Sequence, residues 1–138
     1  MATAAPAGKR LLRSKSGLRI IPLNDSERSP FELVEPAWIP DDESPSCMEC
    51  QGKFDFIKRR HHCRRCGRVC CGSCCNARLA LPRMCFLDPV RLCSPCAATT
   101  AQENKFYHHH LKSLLSGAIL HLSSESNEQD LVGLISCR

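Results

Sequence analysis

The apolar positions of this chain are unevenly spread, and no single periodicity runs through it. Residues 1–35 mix Ala, Ser, Pro and charged side chains without sustained alternation, so they read as a flexible arm. Within that arm, Leu18–Leu23 and Phe31–Val34 are short apolar runs suited to local docking. Residues 47–96 hold few large apolar side chains, too few to fold by burial alone. Residues 99–117 belong to a stretch of helix-forming composition that starts at Ala97 and meets no Pro or Gly before Gly117, a plausible stop. Its residues Phe106, Tyr107, Leu111, Leu114 and Leu115 fall near one helical face. That face suits a protein partner or a second copy of the chain. Ala118–Leu122 has strand character, but the polar run Ser123–Asp130 after it offers no pairing partner, and Leu131–Ile135 is too short for a core. The tail 118–138 is therefore expected to be poorly ordered. No window reaches the roughly 18–20 apolar residues of a membrane span, so the chain reads as soluble or peripheral.

Composition changes the picture most at residues 36–98. Cysteine occurs 12 times in 138 residues while aromatics make up only 5%, a density that implies either a disulfide or a metal scaffold. The start of the chain, alanine-rich and bearing arginine like a transit peptide, has no continuous apolar stretch of secretory-signal length. Without export, thiolate metal ligation is favoured over disulfides. The net charge of +5 is mild, but its distribution is not. Lys9, Arg10, Arg13, Lys15 and Arg19 form a basic arm; eight acids then face the single Arg28 between residues 25 and 50. From Lys58 to Arg68 the sign flips again, with Arg59, Arg60, Arg64 and Arg65 and no acid. Like charges at that density repel unless something anionic offsets them. Arg13-Ser-Lys-Ser16 is also a basic-directed phosphorylation pattern.

The cysteines sort into four C-x-x-C knuckles: Cys47/Cys50, then twelve residues, Cys63/Cys66, four residues, Cys71/Cys74, eighteen residues, and Cys93/Cys96. A knuckle places two thiolates on one tight turn, and two knuckles complete a closed tetrahedral zinc site with no open position for a catalytic water. Eight ligands mean two structural Zn2+ ions. The short gap between the second and third knuckles favours a cross-brace over sequential pairing, although spacing leaves both open. Cys70, Cys75, Cys85 and Cys137 are left over, and Cys70 and Cys85 read as packing residues.

Around the knuckles lie Trp38-Ile39-Pro40-Asp41, Arg59-Arg60-His61-His62-Cys63-Arg64-Arg65-Cys66-Gly67 and Arg91-Leu92-Cys93. Together these resemble the FYVE zinc finger over Pro36 to Ala98, with Leu92 where that family usually has Val. The resemblance implies a small zinc-stabilised α+β fold, with two short β-hairpins and a C-terminal helix on two cross-braced four-cysteine sites, flanked by disordered arms. One zinc would sit on Cys47, Cys50, Cys71 and Cys74, the other on Cys63, Cys66, Cys93 and Cys96. It further implies a non-catalytic module on the cytosolic face of early endosomes that binds phosphatidylinositol 3-phosphate. Its headgroup pocket would be Arg59, Arg60, His61, His62, Arg64 and Arg91, closed at the side by Trp38 and Asp41. Phe56 and Ile57 would form a loop tip that enters the bilayer, flanked by Lys53 and Lys58. Ser29-Pro-Phe-Glu-Leu, Phe54-Asp-Phe and Cys85-Phe-Leu-Asp-Pro-Val-Arg91 narrow the likeness to a member whose finger precedes a pleckstrin-homology-like domain. On that basis the chain is expected to be a truncated form.

The chemistry supports the resemblance. A phosphomonoester needs several forked cationic donors converging from one side. Strand alternation puts Arg60, His62 and Arg64 on one face while Cys63 turns inward. Arg65 and Arg68 fit better as neutralisers of the zinc–thiolate charge. Trp38 is nearly as well explained as a core anchor, His61 as a buried imidazole, and His108–His110 as surface residues. A RING-like ubiquitin ligase or protein-interaction finger is the alternative, but RING ligand sets normally include His and leave the arginine block unexplained. Nucleic acid is disfavoured by the lack of an aromatic-interleaved platform.

Overall fold

A computed structural model describes residues 5–122 and 131–135. The chain divides into two compact units, residues 1–101 and 102–138. In the first, three two-stranded antiparallel sheets pair β1 (Lys9–Ser14) with β2 (Gly17–Pro22), β3 (His61–His62) with β4 (Val69–Cys70), and β5 (Ala77–Leu79) with β6 (Val90–Leu92). Helix α1 spans Ser94–Lys105 and runs into a π-helical turn, Phe106–His110, and α2, Leu111–Leu115. The β3–β4 and β5–β6 hairpins with α1 are the small α+β finger that the sequence implies.

The interior of the finger consists largely of sulfur. Cys47, Cys63, Cys70, Cys71, Cys75 and Cys93 are buried together with Leu81, Met84, Phe86, Val90 and Leu92. So few aliphatic side chains supply little hydrophobic stabilisation, which is why the metal sites carry the fold. Gly67, at φ 74°, closes the second knuckle where a Cβ would stand 2.5 Å from the Ala37 carbonyl oxygen. Its own carbonyl accepts from the Ile39 amide at 3.1 Å. That contact seats the Trp38 segment against the basic motif.

Two regions differ from expectation. Residues 9–22, expected to be part of a flexible arm, form the β1–β2 hairpin and dock on the finger. The Ile20 amide donates to the Cys85 carbonyl at 3.0 Å, the Leu87 amide donates to the Leu18 carbonyl at 2.9 Å, and Arg19 pairs with Glu35 at 2.7 Å. Gly17 permits the turn: it sits at φ 147°, and a Cβ there would lie 3.1 Å from Phe86. The partner segment is some sixty-five residues away in sequence, so no local pattern announces it. The helix also begins at Ser94 and not at residue 99. The fourth knuckle turns directly into it, Ser94 donating to the Cys74 carbonyl from both its amide and its hydroxyl, with Pro95 in the first turn, where a missing N–H costs nothing.

In the second unit, β7 (Ala118–Leu122) pairs antiparallel with β8 (Leu131–Ile135), in register from Ala118↔Ile135 to Leu122↔Leu131. Leu131–Ile135 is thus the strand partner that the sequence reading failed to find for Ala118–Leu122. Two five-residue strands satisfy each other's backbone polar groups where either alone could not. Residues 123–130 and 136–138, also assigned to the poorly ordered tail, lie outside the described residues.

Candidate metal centres and anion-binding surface

The four knuckles converge in cross-braced order. The sulfurs of Cys47, Cys50, Cys71 and Cys74 lie within 4.8 Å of one another, as do those of Cys63, Cys66, Cys93 and Cys96. A tetrahedral zinc with Zn–S bonds of about 2.3 Å requires S···S edges of roughly 3.8 Å. Cys50 and Cys71 sulfurs are 3.9 Å apart, and those of Cys66 and Cys93 are 3.8 Å apart. Both clusters therefore fit zinc in donor type, number and spacing. The surroundings favour thiolate: the Cys71 amide donates to Cys47 Sγ at 3.2 Å, and the Lys58 ammonium reaches Cys50 Sγ at 3.7 Å. The Ser73 hydroxyl beside Cys71 helps bring that thiol down to about 6. Cys70 and Cys75 belong to neither cluster, and burial pushes each up to about 12. They are neutral packing residues in the core.

The arginines divide into two populations. Arg19, Arg28 and Arg68 each meet a carboxylate. Arg65 donates to the buried Thr100 hydroxyl at 2.9 Å, tying α1 to the second knuckle. In contrast, Arg59, Arg60, Arg64, Arg78 and Arg91 form no ion pair among the described residues. Backbone carbonyls hold four of them: Arg60 Nε on Ser44 at 3.1 Å, Arg64 on Ser16 at 3.2 Å and His62 at 2.7 Å, Arg91 on Cys75 at 2.6 Å, and Arg59 on Phe56 at 3.4 Å. A carbonyl orients a guanidinium without neutralising it, so full positive charge is fixed in place for an external anion.

The sequence-predicted pocket residues gather in two groups. In the first, Trp38 stacks on His62 at 4.5 Å between centroids, Arg64 lies over the Trp38 ring at 5.0 Å, and Asp41 stands 3.7 Å from His62 Nε2. His62 Nε2 is also 2.7 Å from the Ile39 carbonyl oxygen, and half-buried Trp38 meets both His62 and Arg64 on this polar face. The Trp38 indole N–H is buried and has no hydrogen-bond partner among the described residues. In the second group, Arg59 and His61 line a cavity of about 330 Å³ with Ile57, Lys58, Gly72 and Ser73. Burial is the largest cause that pulls the His61 pKa down, followed by Arg91, Arg64, Arg59 and Arg78. Arg60 stands apart, its guanidinium over the Phe54 ring at 4.7 Å.

Arg78 was missed by sequence reasoning. It lies directly opposite Arg91 in the β5–β6 register and shares with Arg64 and Arg91 a cavity of about 160 Å³. The signal was the strand alternation of Ala77-Arg78-Leu79, which becomes informative only once the partner strand is known.

Between the first and second knuckles, Phe56 is 84% and Ile57 79% exposed, while Phe54 packs on the core. Asp55 Oδ1 accepts from the amides of Ile57 at 2.8 Å and Lys58 at 2.6 Å. Those two amides, Lys58 first, hold the Asp55 carboxyl below its usual value. The turn thus presents two adjacent apolar side chains to solvent on a fixed backbone. Lys58, expected to flank the loop tip, follows Ile57 directly and turns its ammonium to Cys50 Sγ at 3.7 Å. No helix among the described residues is long and apolar enough to cross a membrane.

Residues 37–102 match the family model described as FYVE zinc finger. Zinc finger FYVE domain-containing protein 16 of Mus musculus is 48% identical over 73 residues, which are 52% of this chain and 5% of the relative's length. This chain therefore spans only a small part of that relative. Among solved structures, the VHS and FYVE tandem domains of HRS, a protein involved in membrane trafficking and signal transduction, are 35% identical over 50% of this chain and 30% of that one, with a TM-score of 0.46. The LM5-1 FYVE domain from Leishmania major is 36% identical over 51% of this chain and 83% of that one, also at 0.46.

Proposed function

We propose that this chain, whose residues 37–102 match the FYVE zinc finger family, is a non-catalytic module that recognises phosphatidylinositol 3-phosphate and so recruits the protein to early endosomal membranes from the cytosol. The observation that carries the reading is the set of arginines held by carbonyls with no carboxylate partner, beside a loop with Phe56 and Ile57 exposed. A phosphomonoester supplies the missing negative charge and accepts forked donors. The bilayer supplies the missing apolar surroundings. In this reading Arg59, Arg60, His61, Arg64 and Arg91 meet the phosphate and inositol ring, His62 and Asp41 meet hydroxyls, Trp38 closes the side, and Phe56 and Ile57 insert. The eight knuckle cysteines hold the two zinc ions that position these groups.

Neither arginine population binds the membrane on surface charge alone in this scheme, so position of the phosphate on the ring matters. Sedimentation with vesicles containing phosphoinositides that differ only in phosphate position tests it. Binding to the 3-phosphate well above the 4- and 5-phosphates is expected; equal binding to all three would reduce the module to a general anionic-surface sensor.

A further inference from the structure

One wall of the arginine cavity comes from outside the finger. The turn between β1 and β2 meets Arg64, Arg78 and Arg91 around the cavity of about 160 Å³, with Asp88 the acid among its lining residues. Ser16 is 5% exposed there. Its carbonyl accepts from Arg64 Nε at 3.2 Å, and its hydroxyl shares a hydrogen bond with Ser14 Oγ at 2.7 Å. Arg78 and Arg91 stand opposite each other across β5–β6, an arrangement that like charges disfavour. Uncompensated cations and a serine hydroxyl are therefore brought together at one point.

The same serine ends the sequence Arg13-Ser-Lys-Ser16. An arginine three residues before a serine, in a basic segment, suits a kinase whose substrate groove is acidic. Access requires the hairpin to open. A two-stranded hairpin is marginal by itself, and this one buries only Ile21 and Ser16, so local opening exposes Ser16 without disturbing the metal-braced finger.

We propose that Ser16 is a phosphorylation site whose phosphate folds back onto Arg64, Arg78 and Arg91 and closes the site to phosphoinositide. The proposal rests on the reading that this site takes a phosphomonoester. A basophilic serine kinase would transfer the γ-phosphoryl of a nucleoside triphosphate. The Ser16 Oγ–P bond forms, the bond to the β-phosphate oxygen breaks to release nucleoside diphosphate, and the hydroxyl proton passes to the kinase. The product carries about −1.5 to −2 charge and three acceptor oxygens. Because it is tethered, its effective concentration at the arginines is in the millimolar range typical of short connections. A lipid headgroup must compete with it. Unphosphorylated, the Ser16 carbonyl only orients Arg64 and leaves the site open.

The test compares the full chain unmodified, with phosphoserine genetically encoded at position 16, and with phosphoserine at position 26, an exposed position of equal charge. Sedimentation uses phosphatidylcholine vesicles containing phosphatidylinositol 3-phosphate. The position-16 protein should lose at least about tenfold in affinity while the position-26 protein stays within about twofold of unmodified. Equal affinity for all three, or an equal loss for both modified proteins, would overturn the proposal. A second measurement needs no lipid: the 31P resonance of phosphoserine 16 should move on Arg78→Gln, and an unmoved resonance would place the phosphate elsewhere. Failure of the unmodified protein to bind vesicles would instead sink the proposed function, with the 31P response still deciding where the phosphate lies. Finally, a kinase of Arg-x-x-Ser preference should phosphorylate Ser16 in the wild type and not in Arg13→Ala; no phosphate on Ser16 would remove it as a modification site.

Discussion

The β1–β2 hairpin and the β3–β4 hairpin lie in the same compact unit and are both antiparallel, but they are held by opposite means. β3–β4 is only two residues per strand and is bracketed by Cys63 and Cys66 on one side and Cys71 and Cys74 on the other, each knuckle belonging to a different four-sulfur cluster. β1–β2 is three times as long and has no covalent or chelate brace; it is held by two backbone hydrogen bonds to residues 85–87, the Arg64 hydrogen bond to the Ser16 carbonyl, the Arg19 contact with the Phe86 ring and the Arg19–Glu35 pair. Length does not set stability here. Chelation fixes the short hairpin and with it the arginines, whereas the long hairpin can open at little cost. The cavity shared by Ser16 and Arg64 thus has one rigid wall and one yielding wall.

Removing the metal is the largest perturbation that separates the two. Cys63→Ser, or chelation of the wild type, should collapse the dispersed amide spectrum of the finger, because zinc binding is most of its folding free energy, on the order of 10 kcal/mol per site. The wild type should bind two zincs by elemental analysis. A chelated protein that kept its dispersion would show that the core of Leu81, Leu92 and Val69 folds unaided.

The apolar loop comes next. Phe56→Ser with Ile57→Ser removes two exposed side chains that nothing in the finger covers, so fold and zinc content should be untouched. Burial of such side chains is worth about 1.5 kcal/mol or more each, so vesicle affinity should fall by roughly a hundredfold or more. Binding of a soluble headgroup should not change. Equal losses in both assays would put these side chains in the pocket or the fold and not in the bilayer.

The contrast between the hairpins also explains what could be read from the sequence. Chelation is local chemistry at fixed spacing, so Cys47 to Cys96 announced the clusters, whereas the alternation expected to set Arg60, His62 and Arg64 on one face spans only His61–His62 as strand, and Arg60 stands apart over Phe54. Spacing left the pairing of knuckles open because a four-residue gap fits either order, and the family resemblance supplied it. Residues 9–22 were read as an arm because their partner, residues 85–87, is remote, and a strand that buries only Ile21 has almost no apolar alternation to display. Arg78 was invisible for the same reason: its significance is its register against Arg91.

Arg64→Ala should produce the next smaller effect. A charged donor in a converging phosphate site contributes on the order of 1.5–3 kcal/mol, so affinity for phosphatidylinositol 3-phosphate vesicles should drop about tenfold to a hundredfold. Zinc content should stay at two, since Arg64 bonds carbonyls and no sulfur. Arg65→Ala is the matched control: it should cost stability through Thr100 and leave headgroup affinity nearly unchanged. If the two variants lost affinity equally, the distinction between carbonyl-held and structural arginines would fail.

The smallest effect is expected at the yielding wall. Gly17 sits at φ 147°, where side chains are rarely accommodated, and a Cβ would press Phe86 at 3.1 Å. Gly17→Ala should therefore cost about 1 kcal/mol, and all of it should fall on the hairpin. Hydrogen exchange reads this directly. The Ile20 amide, which donates to Cys85, and the Leu87 amide, which donates to Leu18, should exchange several-fold faster. The Gly67 amide, which donates to Cys63 inside the metal-braced finger, should not change. Uniform acceleration of all three would mean that the hairpin and the finger open as one cooperative unit, and the two walls of the arginine cavity would then not be mechanically distinct.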